Sequence, residues 1–171
     1  MSILSFFFLL LAPSTGNLYL NPEEYTRHSP SVTFDCPNQL RLNSFFGGST
    51  LRLTVNGEKR RFAKDTLYGY RDCQGIDYRF YQKAAYQIID TAGFYVYSYT
   101  RLVQGEKIAR PATTYFFSTH PTSFIQPLTV ANLQKAFSSH PKFCSRLDAE
   151  FRSDAALNNT PKLKYAYRQS L

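Results

Sequence analysis

From Gln39 onward apolar and polar residues alternate, which is the period of a strand with one face turned inward. Leu40 and Leu42, then Leu51, Leu53 and Val55, form the first inward sets. Asn56-Gly57 follows at once, a pair suited to the two positive φ angles of a type I′ hairpin, and "EKRRF" returns. The stretch "YGYRDCQGIDYRFY", Tyr68 to Tyr81, reads as the next hairpin, with Asp72 and Gly75 in its turn and Ile76, Tyr78 and Phe80 alternating with Asp77, Arg79 and Tyr81. "AYQIID" and "FYVYSYT" then pair across "TAG", which puts Phe94 and Val96 on one face and Tyr95, Tyr97 and Tyr99 on the other. After a polar loop, Val103 to Pro111, "ATTYFFS" supplies one more strand.

Near "IQPLT" the period lengthens to that of a helix. Thr129 is placed to cap a short helix in which Val130, Leu133, Ala136 and Phe137 share a face. A second helix starts with Ser139 or His140 as cap and Pro141 in its first turn, and Phe143, Leu147, Phe151 and Ala155 recur every fourth residue, with Cys144 at the edge of that stripe. The tail "TPKLKYAYRQSL" alternates Leu163, Tyr165 and Tyr167 and reads as a strand or an ordered extension. Strands first and helices afterwards predict an α+β fold, an antiparallel β meander of about six to eight strands followed by two C-terminal helices packed on the sheet. Residues 39–171 are expected to form this single domain, and residues 17–38, with three prolines and no sustained period, an irregular lead-in.

The first residues change the setting. Ile3 to Ala12 is apolar apart from Ser5 and is followed by small and polar residues, the pattern of a signal peptide, and it is shorter than the ~20 residues a membrane span needs. Cleavage after Gly16 would leave a chain starting at Asn17, although no Lys or Arg precedes the run. The expected location is therefore outside the cytoplasm, periplasmic or secreted, with no membrane span after the leader is removed. Cys36, Cys73 and Cys144 then allow one disulfide with one thiol left over, and spacing does not choose among the three pairings.

The net charge of +8 is densest at "EKRRFAK", where Lys59, Arg60 and Arg61 adjoin. In a cytoplasmic protein such a cluster points to nucleic acid, whereas in an exported one it points to an anionic envelope polymer or another envelope protein, and nucleic acid is not an expected partner. The second candidate surface is aromatic: Tyr95, Tyr97 and Tyr99 on one strand face, near Tyr68, Tyr70, Tyr78 and Tyr86, with Arg71, Arg79 and Arg101 interleaved. Phenol rings and guanidinium groups in such a ladder can stack sugar rings and pair anions. The same pattern is an ordinary way to stabilise a sheet through cross-strand pairs.

Catalytic motifs are missing. There is no GxSxG elbow, HExxH helix, P-loop or dinucleotide GxGxxG, and no motif calls for a cofactor or a metal. Cys73 lacks an identifiable base, since His28, His120 and His140 each stand beside Ser or Pro in contexts that read as turns or a helix start. No catalytic residue is assigned.

The segments "LYLNPEEY", "NGEKRRFAKDTLYGYRDCQGIDYRFY", "AYQIID", "YFFS", "IQPLTVANLQKAF" and "KLKYAYRQSL" together resemble a family of small exported proteins from Bacteroidota-type bacteria that has no assigned activity. The resemblance implies export and the order of strands before helices, and carries over no site residue. The sequence thus points to a non-catalytic exported envelope protein acting as a structural or interaction module. The alternatives are a binding module for an anionic or carbohydrate polymer and a hydrolase whose residues follow no recognisable motif.

Overall fold

The computed structural model describes residues 15–36, 41–42 (backbone only), 48–104 and 108–171. In chain order these form β1 (Thr15–Tyr19), α1 (Pro22–Thr26), β2 (Val32–Asp35), β3 (Arg41–Leu42), β4 (Thr50–Val55), β5 (Glu58–Ala63), β6 (Gly69–Arg71) and β7 (Asp77–Tyr81). There follow β8 (Ala84–Asp90), β9 (Tyr95–Val103), β10 (Arg110–Ser118), β11 (Gln126–Pro127), α2 (Val130–Ala136), α3 (Pro141–Glu150) and α4 (Thr160–Arg168). Eight strands make one antiparallel sheet in the order β11-β10-β9-β8-β7-β6-β1-β2, and β3-β4-β5 form a separate sheet. The fold is α+β, and from β6 to β11 each strand pairs with the next, as a meander does.

Local chemistry accounts for the turns. Asn56 and Gly57 both take positive φ, 51° and 80°, as a type I′ hairpin requires. In the β6–β7 turn the Asp72 carboxylate accepts the backbone N–H groups of Gln74 and Ile76, while Gly75 takes φ 80°. Gln82 and Lys83 make the β7–β8 turn with φ 48° and 66°, a hairpin with no glycine to announce it.

Register divides the main sheet into two faces. One runs through the partners Leu18, Tyr70 and Tyr78 in β1, β6 and β7, and through Val96 and Phe117 in β9 and β10. At one end of this face the helices cover Phe94, Val96 and Phe117 with Leu133, Phe137, Phe143, Leu147, Leu163 and Tyr167. At the other end the small sheet lays Leu51, Leu53 and Val55 against Leu18, Phe34, Tyr70 and Phe80. The opposite face runs through Tyr19, Gly69, Arg79 and Tyr86, then through Ile88, Tyr97 and Phe116.

Four features differ from the sequence expectation. Residues 17–35 are not an irregular lead-in: β1 sits between β6 and β2, and α1 connects β1 to β2. Strands of five and four residues are too short to display a period, but Asn21 caps α1 by accepting from Glu24 N, and the Glu24 carboxylate accepts from Leu20 N and Ser31 N. Second, the tail is helix α4, so three helices follow the sheet rather than two. Pro161 occupies its first turn, Asn159 accepts from Lys162 N, and the buried set is Leu163, Ala166 and Tyr167 at helical spacing, while Tyr165 is exposed.

Third, α3 ends at Glu150, which leaves Ala155 exposed in a 3-10 turn while Phe143, Leu147 and Phe151 are buried as expected. Fourth, β9 runs to Val103 and β10 starts at Arg110, so the expected loop 103–111 gives its first residue and its last two to the strands. Thr129 and Pro141 stand where the helix starts placed them, and His140 rather than Ser139 is the cap position of α3. The apolar run Ile3–Ala12 and Leu40 lie outside the described residues. Thr15 and Gly16 open β1, where a Cβ added at Gly16 would collide with the Phe34 ring, so a chain cut after Gly16 would begin inside that strand.

Candidate binding face

Cys73 is bonded to Cys36, with Cα atoms 5.6 Å apart, so it is no free nucleophile. The bridge joins the end of edge strand β2 to the β6–β7 turn, across the intervening β1. Cys144 is free and half-buried, and its thiol donates to the Phe137 carbonyl at 3.4 Å.

The face opposite the helices carries part of the aromatic and cationic set that the sequence singled out, Arg79 with Tyr86, Tyr95, Tyr97 and Tyr99, together with Tyr81. At its centre Arg79 of β7 is 5% exposed. Its Nη1 donates to Tyr97 Oη at 3.0 Å and Ser118 Oγ at 3.3 Å, and its Nη2 to the Ser123 carbonyl at 2.8 Å. Tyr97 Oη and Ser118 Oγ are 2.9 Å apart, and the Ser118 hydroxyl donates to the His120 carbonyl, which ties the 119–125 loop to the sheet. The guanidinium carbon stands 5.6, 5.9 and 5.8 Å from the ring centroids of Tyr68, Tyr81 and Tyr97, within cation–π range. Among the described residues no carboxylate pairs with Arg79, and these include every acidic residue of the chain except Glu106.

Around this centre lies a field of half-buried rings. Tyr86 meets Tyr81, Tyr99 and Phe116 at centroid distances of 6.3, 5.3 and 5.1 Å, and Tyr95 stacks beside Tyr97 at 6.1 Å. Tyr97 itself is fully buried, whereas Tyr81, Tyr86, Tyr95 and Tyr99 keep partial access to solvent. On the flank α1 sets Tyr25 against Tyr19 and Tyr68.

The remaining sequence candidates separate from this centre. Arg71 presents Nε and Nη2 to the two oxygens of Asp77, both at 2.7 Å, a bidentate pair that raises its pKa. Asp77 also accepts from Tyr25 Oη at 3.4 Å, and burial together with that carboxylate raises the Tyr25 pKa. Tyr70 and Tyr78 stack at 4.7 Å on the opposite face, with the small sheet. Lys59, Arg60 and Arg61 are exposed on β5 of that small sheet, where Arg60 pairs with Glu58 at 3.2 Å, so they do not converge with the tyrosines.

Lys164 is a buried cation that sequence reasoning missed. It is 1% exposed on α4, and its ammonium donates to the Ala92 carbonyl at 3.0 Å and to the Phe94 carbonyl, with Asp90 at 3.4 Å and the Phe94 ring centroid at 3.7 Å. An ammonium has three donors, and these three acceptors engage them, so the group clamps α4 to the β8–β9 turn and has no proton or lone pair ready for a substrate. A lysine in an amphipathic tail carries no sequence mark of burial. Desolvation lowers its pKa from 10.5 to about 8, against the opposing pull of Asp90.

That shift has a measurable sign. Below pH ~8 folded and unfolded chains both hold the proton, whereas between pH ~8 and ~10 the unfolded chain holds more. The unfolding free energy is expected to rise by about 2 kcal/mol across that interval. Above pH ~10 the buried tyrosines Tyr25, Tyr68 and Tyr70, whose pKa values burial raises, reverse the slope, because the unfolded phenols ionise first. Denaturant melts across this range test the assignment: Lys164→Met should flatten the rise, and a rise that persists in it assigns the proton elsewhere.

Among the described residues no cluster of His, Cys, Asp and Glu could hold a metal, and no helix is long and apolar enough to cross a membrane. No family model, curated protein or solved structure matches the chain.

Proposed function

We propose that the protein is a non-catalytic exported module of the cell envelope, periplasmic or secreted, that acts by binding. The observation that carries this reading is the Cys36–Cys73 bridge, because disulfides persist in oxidising compartments and are rare where glutathione and thioredoxin keep thiols reduced. The apolar run Ile3–Ala12 and the resemblance to small exported proteins of Bacteroidota-type bacteria support the same reading. Fractionation of a tagged copy, with thiol alkylation before and after reduction, is the test. Expected is a chain outside the cytoplasm with one alkylatable cysteine before reduction and three after; a cytoplasmic chain with all three cysteines reactive sinks the proposal.

A second reading, binding of an anionic or carbohydrate polymer, has its own support. The helices pack on the other face, which leaves Tyr81, Tyr86, Tyr95 and Tyr99 partly open around a cation. Stacking of sugar rings on phenols and pairing of anions with Arg79 follow from that chemistry. Retention on an acidic polysaccharide should be salt-sensitive. Charge reversal at Arg60 and Arg61 asks whether the β5 cluster adds to it, and retention that ignores salt, or no retention, removes the reading.

A further inference from the structure

Among the described residues two buried polar side-chain atoms lack a partner, Thr160 Oγ1 and Tyr68 Oη. Only the second stands beside a cation without a counter-charge. A guanidinium carries five N–H donors; three of those of Arg79 are engaged, by Tyr97, Ser118 and the Ser123 carbonyl, which leaves Nε–H and one Nη2–H. Neutral acceptors orient this guanidinium but do not neutralise it. A buried cation ordinarily sits against a carboxylate, because its desolvation is costly without one.

From this combination we propose that Arg79 and Tyr68 form a site for one oxyanion, a carboxylate, phosphate or sulfate group. Burial keeps the Tyr68 hydroxyl protonated far above neutral pH, so it serves as a donor. The guanidinium carbon is 5.6 Å from the Tyr68 ring centroid. With donor-to-oxygen distances of ~2.8 Å, donors several ångströms apart reach different oxygens of a single group. The bonds to Tyr97, Ser118 and Ser123 then act as positioning contacts, holding the fork before the anion arrives, and half-buried Tyr81 and Tyr95 adjoin Arg79 and Tyr97 respectively. The inference deepens the polymer reading by naming the group recognised, and it leaves Arg71 out because Asp77 occupies that fork.

The test titrates the oxidised full chain, at fixed ionic strength, with inorganic phosphate, sulfate and glucuronate, and separately with an acidic polysaccharide; tyrosine fluorescence and melting temperature are followed. Expected is saturable binding of at least one small oxyanion, weakened about tenfold or more in Tyr68→Phe and in Arg79→Lys. Tyr68→Phe removes only a hydroxyl that has no partner, so it should fold as well as the parent without anion, which keeps the comparison interpretable. Absence of saturation with every small oxyanion overturns the site, as does binding that Tyr68→Phe leaves unchanged. Small oxyanions bound through these residues without polymer retention uphold the site and remove the polymer reading. Polymer retention indifferent to Tyr68→Phe does the reverse.

Discussion

Reducing the Cys36–Cys73 bridge, or replacing Cys73 by Ser, is expected to lower the unfolding free energy by about 3–4 kcal/mol, since a cross-link between residues 37 apart removes that much loop entropy from the unfolded chain. The expectation is large for where the bridge sits as well as for what it spans. Edge strand β2 pairs only with β1, over four residues, and its buried contribution is the Phe34 ring packed over Gly16. Without the bridge little holds that edge against fraying, and the small sheet that packs beside Phe34 is exposed to the same loss. Urea melts with and without reductant measure the effect, and Cys144→Ser is the control, because that thiol is free and donates to backbone carbonyls on the helical side. A change below about 1 kcal/mol on reduction would be too small for a loop of this length, and would mean that the two cysteines are not cross-linked in the protein tested.

Where a single period persisted long enough, sequence alone resolved the architecture. The hairpins at Asn56-Gly57 and Asp72–Gly75, the division of residues 94–99 into Phe94 and Val96 against Tyr95, Tyr97 and Tyr99, and the Thr129 and Pro141 helix starts all stand where alternation and capping chemistry put them. Short or doubly patterned stretches were misread. In "KLKYAYR" every second residue is apolar, yet Leu163, Ala166 and Tyr167 also satisfy helical spacing, and Pro161 with the Asn159 cap decides between the two. The candidate face was legible as a list of residues but not as a site. Periodicity puts Arg79 and Tyr97 on one face; it does not say that the 119–125 loop folds over both and leaves one guanidinium without an acid, because that depends on a contact between residues 44 apart in the chain. Nor does it say that Arg71, one alternation away, finds Asp77 across the hairpin.

Phe94→Ala is expected to cost about 3–5 kcal/mol, a large part of the ~5–15 kcal/mol that a domain of this kind has. The ring is fully buried where the sheet meets all three C-terminal helices. Its centroid lies 5.2 Å from that of Phe137 and 6.3 Å from Phe143, and it meets Tyr167 and Phe117 edge-on at 5.2 and 6.4 Å. The Lys164 ammonium also rests on it, so truncation opens a cavity and strips a desolvated cation of its aromatic partner at once. Phe94→Leu, which fills most of the volume but offers no ring face, should fall between the alanine variant and the parent. The neighbouring Tyr95 points to the opposite face, half-buried beside Tyr97, and Tyr95→Ala should cost distinctly less. Denaturant melts of the three variants decide the matter, since equal losses from Phe94→Ala and Tyr95→Ala would contradict the assignment of the two faces. The same pair separates stability from binding: oxyanion affinity of the folded fraction should survive Phe94→Ala, because the helix-packed face shares no side chain with the Arg79–Tyr68 site.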